Sequence, residues 1–122
     1  MGLRSRDDGG KFMIPDELDG VIVAPHNHKV IFENEHVRVI ETTIAGGEKT
    51  PLHTHLRSAL IYLLSGSHFI RRDENGETMR DTQADPDAVQ PKVHFVESTP
   101  KHTIENTDIK DLVALSIELK NI

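Results

Sequence analysis

Two histidine pairs with one residue between their members, "HNH" at 26 to 28 and "HTH" at 53 to 55, are the stretches of this 122-residue sequence best suited to chemistry. Imidazoles are common ligands of transition metals. On a strand, residues i and i+2 point to one face with Cα atoms roughly 6.5 Å apart, so two rings can converge on one ion at about 2.0–2.1 Å per bond. Spacing alone is weak evidence, because eight histidines in a chain of this length give roughly half such a pair by chance. Context separates the two pairs. The first follows Pro25 and contains Asn27, which reads as a turn at a strand edge, so a solvated surface is expected for His26 and His28. The second leads straight into "ALIYLL" and is expected to face an enclosed space.

A protein site needs at least a third ligand. Of the downstream histidines, His68 opens a charged hairpin and is expected at the surface, and His94 should face out if its neighbour Phe95 faces in. His102 follows the turn "ESTPK" and stands where a strand begins, so it can share an interior with His53 and His55.

These residues must be positioned by strands. Aromatic residues make up 4% of the chain and Trp is absent, while Val, Ile and Leu are frequent, which suits a β core. Short β-branched runs recur at Val21 to Ala24, Lys29 to Phe32, Val37 to Ile44, Ala59 to Leu64, His68 to Arg72, Glu77 to Arg80, Val93 to Val96 and Leu112 to Leu119, with turn signals between them. "ENE" at 33 to 35 and Asn75-Gly76 are hairpin turns by composition. Ala59 to Leu64 is apolar on both faces and reads as a central strand covered on each side. No segment carries a helical stripe, and the spacing is that of an all-β sandwich or barrel. The length fits one domain, expected over 14–122, preceded at 1–13 by a polar stretch expected to be a mobile N-terminal arm or an appended remnant.

Charge and composition exclude several function classes. Twenty acidic against fourteen basic side chains give a net charge of -6, with no basic cluster, so no nucleic-acid partner is expected. The chain has no cysteine, which leaves only histidine and carboxylate as metal ligands. No apolar run is long enough for a bilayer and no signal-peptide core is visible, so no membrane partner and a cytoplasmic location are expected.

At this point the residues match a known pattern. The first motif of the cupin superfamily reads G-x5-H-x-H-x3,4-E-x6-G, and Gly47, His53, His55 and Gly66 fall at matching positions; the second ends in H-x3-N, matched by His102 and Asn106. From about Val21 to Lys120 the chain resembles a small single-domain cupin, and the resemblance implies a double-stranded β-helix, or jelly-roll, barrel. It departs in two places. The motif glutamate would fall at Ala59 or Leu60, and the usual Pro-x-Gly before the second-motif histidine is replaced by Glu97, Ser98 and Thr99, with Pro100 keeping a turn residue.

The resemblance implies a site of three histidines, His53, His55 and His102, without the carboxylate. Three-histidine cupins include iron dioxygenases and many proteins of no assigned activity. Nitrogen ligation suits Fe, Zn, Ni, Cu or Mn, and three neutral ligands leave the ion its full charge, which favours a small anionic or chelating organic ligand. The expected function is a metal-dependent enzyme, a dioxygenase, hydrolase or isomerase, with Tyr62 and Glu97 as candidate pocket-lining residues. Two alternatives stay open on the sequence: a non-catalytic small-molecule or metal-binding module, and a dimeric scaffold with a vestigial site. Small cupins are often homodimers, and the resemblance implies one here.

Overall fold

The computed structural model describes residues 17–66, 68–84 and 92–120. The arm expected over 1–13 lies outside them, as does much of the Asp- and Pro-rich loop before β7. The described chain consists of one short helix, α1 (Gly20–Val23), and nine strands: β1 (His28–Glu33), β2 (Val37–Ile44), β3 (His53–His55), β4 (Ala59–Ser65), β5 (Phe69–Asp73), β6 (Thr78–Asp81), β7 (Val93–Val96), β8 (Thr99–Asn106) and β9 (Leu112–Leu119). They form two antiparallel sheets, a five-stranded one in the order β1-β2-β9-β4-β7 and a four-stranded one in the order β3-β8-β5-β6. Sequence neighbours are often not sheet neighbours, so the chain crosses between sheets and wraps both around one interior.

That interior is built by the period of two. Ile40, Thr42 and Ile44 of β2, Ala59, Ile61 and Leu63 of β4, and Leu112, Ala114, Ser116 and Glu118 of β9 alternate with outward residues. Ile44, Phe69 and Leu112, with Leu63 and Ile104 packed on them, close one end with an apolar floor. Turn chemistry follows the sequence where it is most demanding: Gly66 has φ 85° beside Leu112, and Gly76 has φ 84° in the β5-β6 turn. Asn106 is fully buried; its amide donates to the carbonyls of Ile44 and Lys110, each at 2.8 Å, and holds the turn before β9.

Four expectations are corrected. Val21 to Ala24, read as a strand from its β-branched residues, contributes to α1, a single turn whose N-cap Asp19 accepts from the Val21 amide at 3.0 Å. Thr99–Asn106 is a full eight-residue strand running through Pro100, because β8 has β3 on one side and β5 on the other and only part of its ladder needs that donor. β4 is covered on one face only: Ala59, Ile61 and Leu63 face the interior, whereas Leu60, Tyr62 and Leu64 are exposed. In β7 the expected order is reversed, since Phe95 is 51% exposed and His94 lines the interior. Among the described residues no helix is long and apolar enough to cross a membrane.

Candidate metal centre

Four imidazoles meet at the end of the barrel opposite the apolar floor. β3 lies against β8, and His53 is the direct antiparallel partner of His102. Their ring centroids are 4.3 Å apart, and His55 stands 4.8 Å from His53 and 5.6 Å from His102. The fourth ring is His28, at the first position of β1, 4.8 Å from His53 and 5.0 Å from His55. The expectation of a solvated His28 is overturned: it is 3% exposed. His26 does lie at the surface, where its Nε2 is 3.1 Å from Glu48. The two members of "HNH" part because His28 enters β1 while His26 stays in the turn, so the strand rule for i and i+2 does not apply to them.

The three side chains whose ligand atoms lie mutually within 4.8 Å are His28, His53 and His55. His28 thus joins His53 and His55 among the described residues, and His102, expected as the third ligand, stands directly beside His53 as a fourth imidazole of the same cluster. The other two expected pocket residues are also corrected. Tyr62 is on the outer face of β4 at 39% exposure, and Glu97 is exposed after β7; neither lines the cavity, because the pleat turns both away.

The donor set fits a metal ion. His28 Nδ1 donates to the Ala24 carbonyl at 3.0 Å, and His53 and His102 donate from Nδ1 to the carbonyls of Pro51 and Pro100, each at 2.7 Å. A proton held on Nδ1 leaves the lone pair on Nε2, the arrangement that fixes a ligating histidine. His55 has a carboxylate instead, with Glu118 Oε2 facing its Nδ1 at 3.8 Å. Burial keeps the rings neutral: it pushes His28 down to about 4, with the charge of His55 adding to it, and pushes His53 to about 3 and His102 to about 4. The ligand atoms lie within 4.8 Å of one another, and a tetrahedral ion with bonds of about 2.0–2.1 Å would draw them to roughly 3.3 Å.

The N-terminal segment holds this geometry from outside. Thr54 donates its amide to the Leu18 carbonyl at 2.7 Å, and α1 follows across the rings. Gly20 is buried against the cluster, where an added Cβ would lie 2.9 Å from His55 Cε1 and 3.1 Å from both His28 Cε1 and His53 Cδ2. Asp19 accepts from Arg38 Nη2 at 2.9 Å, and Arg38 Nε donates to Glu118 at 2.8 Å. Burial alone would raise the Glu118 carboxyl, but His55 and Arg38 outweigh it and hold it below the usual carboxylate value. The ionised Glu118 thus orients His55 and is itself held by Arg38.

Sequence reasoning missed His28, Gly20, Glu118 and the arginines that line the cavity beyond the rings. Glu118 carried a usable signal, as an acidic residue in the apolar run "LVALSIEL" at an inward position of a period-two strand. The cavity measures about 170 Å³ and runs from the imidazoles past Ala59, Ile61 and Val96 to the apolar floor.

No protein-family model matches the chain, and no curated protein matches it in sequence. Solved structures do match. A cupin domain from Bordetella pertussis Tohama I superposes with a TM-score of 0.60 at 19% identity, covering 76% of this chain and 91% of that one. An RmlC-like cupin family protein with a double-stranded β-helix fold, from Methanocaldococcus jannaschii, gives 0.54 at 16% identity over 75% of this chain and 77% of that one. The polyketide cyclase RemF from Streptomyces resistomycificus gives 0.52 at 16% identity over 77% of this chain and 64% of that one. At such identities the likeness is one of fold, and together with the two antiparallel sheets it shows that this chain folds as a small cupin domain, a double-stranded β-helix.

Proposed function

We propose that this chain is a metal-dependent enzyme that binds a divalent transition metal through His28, His53 and His55 and acts on a small anionic, chelating organic molecule inside the barrel. One observation carries the reading: three buried imidazoles and the half-buried His55 share one end of a cavity, and the three buried ones have Nδ1 fixed by a backbone carbonyl, which leaves Nε2 to bind. A buried cluster of bases without such a purpose costs stability, since polar groups out of water must be compensated.

When bound, a divalent ion with three neutral ligands keeps its full charge, polarises a chelating oxygen and acidifies water. The chain's own residues do the remainder. His28, His53 and His55 present Nε2, and Glu118 steadies His55 without adding charge to the ligand set. His102, beside the trio, accepts and returns a substrate proton at Nε2 while Nδ1 stays on the Pro100 carbonyl. Ile61, Leu63 and Val96 wall the cavity with apolar surface and exclude water from the reacting end.

Elemental analysis of protein grown in defined metal tests the first step. About one equivalent of Fe, Zn, Ni, Cu or Mn is expected, with loss in His53→Ala; well under one equivalent with no change in the variant would overturn it. Oxygen uptake with Fe(II) and a panel of β-diketones, thiols and hydroxy acids then separates oxygenation from hydrolysis or isomerisation. The homodimer is a further part of this reading. Leu60, Tyr62 and Leu64 of β4 lie beside Val93 and Phe95 of β7 on the outer face, with Leu60 opposite Phe95 and Tyr62 opposite Val93, and β7 ends its sheet. A second copy covers this apolar row, which Lys92 borders at Tyr62 and which continues to a sheet edge that can pair with itself.

A further inference from the structure

Past the neutral imidazoles the cavity holds a cationic group. Arg71 of β5 and Arg80 of β6 are direct cross-strand partners, and both line the cavity. Like charges directly opposite on neighbouring strands repel, and a guanidinium taken out of water needs acceptors for its N–H groups. Arg71 is short of them: its Nε is buried with no hydrogen-bond partner among the described residues, and its Cζ lies 5.7 Å over the Phe69 ring. The next residue shows the contrast. Arg72 points to the other face of β5 and donates from Nη1 to Glu105 at 2.9 Å.

Acidic side chains outnumber basic ones in this protein, 20 to 14. Yet among the described residues the acidic side chain that lines the cavity, Glu118, is already engaged by Arg38 at 2.8 Å and approached by Arg57 at 3.6 Å. Burial, then the charge of Arg80, holds the Arg71 pKa below its usual value, though an arginine stays protonated there. An acidic protein thus sets two half-buried guanidinium groups face to face on the wall of its cavity, where they repel each other unless an anion joins them.

Their position fixes what that anion belongs to. Arg71 is paired with Ile104 of β8, and His102 lies two residues further along β8, roughly 6.5 Å towards the imidazoles. On the other side of Arg71, Phe69 belongs to the apolar floor. A cavity of about 170 Å³ is close to the roughly 150 Å³ that accepts benzene in a protein core, enough for about six to ten non-hydrogen atoms.

We propose that Arg71 and Arg80 bind the carboxylate of a small organic acid whose other end carries the group that reaches the histidine cluster. The substrate is then two-ended, with an apolar body against Ile61, Leu63 and Val96 and its carboxylate held by a planar fork. The proposal rests on the metal-enzyme reading only for what the far end does, and it is tested without metal.

Metal-free protein, stripped with a chelator, is titrated calorimetrically with benzoate, with benzyl alcohol as the uncharged counterpart, and with inorganic phosphate. Benzoate is expected to bind once per chain, with benzyl alcohol at least tenfold weaker. R71Q and R80Q should each weaken benzoate at least tenfold and R71K less, while His26→Ala, at the surface and outside the cavity, leaves it unchanged. Without ligand R71Q should melt no lower than the parent, because it removes an unpaired buried cation, and benzoate should raise the melting temperature of the parent alone. Absent benzoate binding, parental affinity in R71Q and R80Q, equal affinity for benzyl alcohol, phosphate binding without benzoate binding, or loss of benzoate in His26→Ala would each overturn the assignment. Benzoate binding at the arginines in a protein that takes up no metal would sink the enzyme reading and leave this one standing.

Discussion

Ala59 of β4 lies directly opposite Glu118 of β9. Ala59 is one of the two positions where the resemblance expects a carboxylate ligand, and its side chain is buried against the cavity. The carboxylate missing from one strand is present on the next, but turned to the outer side of His55 and tied to Arg38. Its role changes with its place: it would not lower the charge on a bound ion, and it stands behind the His55 ring instead. Glu118→Gln keeps the shape and removes the charge. Metal affinity, measured by competition with a chromogenic chelator, should fall about 10–100-fold, as losses behind a ligating histidine do. Unchanged affinity would mean that Glu118 serves only the ion pair with Arg38.

Gly20 permits α1 to lie across three of the rings. A methyl group there meets imidazole carbons at 2.9 to 3.1 Å, closer than non-bonded carbons pack, and overpacking of this kind costs about 1–3 kcal/mol. Gly20→Ala should lower the melting temperature and, by pushing His28 and His55 apart, weaken metal binding further than the stability loss alone explains. A variant with parental metal affinity would show that the rings yield freely.

Acid should loosen the metal-free protein earlier than its carboxylates require. Above the unfolded histidine value of 6.5 the rings are neutral in both states and carry no penalty. Between 6.5 and the folded values of about 4 for His28 and His102 and about 3 for His53, the unfolded chain binds protons that the folded chain refuses. Stability therefore rises with pH across that window and falls as pH drops through it, by a few kcal/mol. Urea midpoints taken from pH 7 to pH 5 should decline, and a flat profile would show that the rings are not desolvated.

The apolar row on β4 and β7 should govern self-association. Leu60→Lys or Phe95→Lys places a charge within the apolar row, and light scattering should report a monomer where a dimer is expected for the parent. Because both side chains point away from the cavity, the melting temperature of the monomeric variant at low concentration should stay close to that of the parent. A parent that is monomeric at all concentrations removes the second copy as the occupant of this face.

Much of the barrel could be read from period-two runs and turn residues, since Val37–Ile44, Val93–Val96 and Leu112–Leu119 stand where the alternation puts them. His53 and His55 were legible for the same reason, as a pair leading into a buried strand. What stayed hidden depends on which elements meet. The arginines of the cavity look like those of any charged hairpin until β5 and β6 are placed against β8. His28 was obscured by Pro25 and Asn27, which signal a solvated turn. Here the turn packs on β2, where the Asn27 amide donates to the Thr43 carbonyl at 2.9 Å and the side chain is buried.

That buried turn supplies a direct comparison within one tripeptide. His28→Ala should reduce bound metal as far as His53→Ala does, because each removes one of three ligand atoms lying within 4.8 Å of one another. His26→Ala, two residues away and paired with Glu48 at the surface, should leave metal content and stability within experimental error of the parent. His102→Ala should separate the two roles around the cluster, keeping most of the metal while slowing turnover of an activated substrate by about 10²–10⁴-fold, the usual contribution of a positioned acid or base. Elemental analysis of the four variants, together with turnover once a substrate is in hand, decides the matter. If His102→Ala loses metal and His28→Ala keeps it, the third ligand comes from β8 and His28 is the proton carrier.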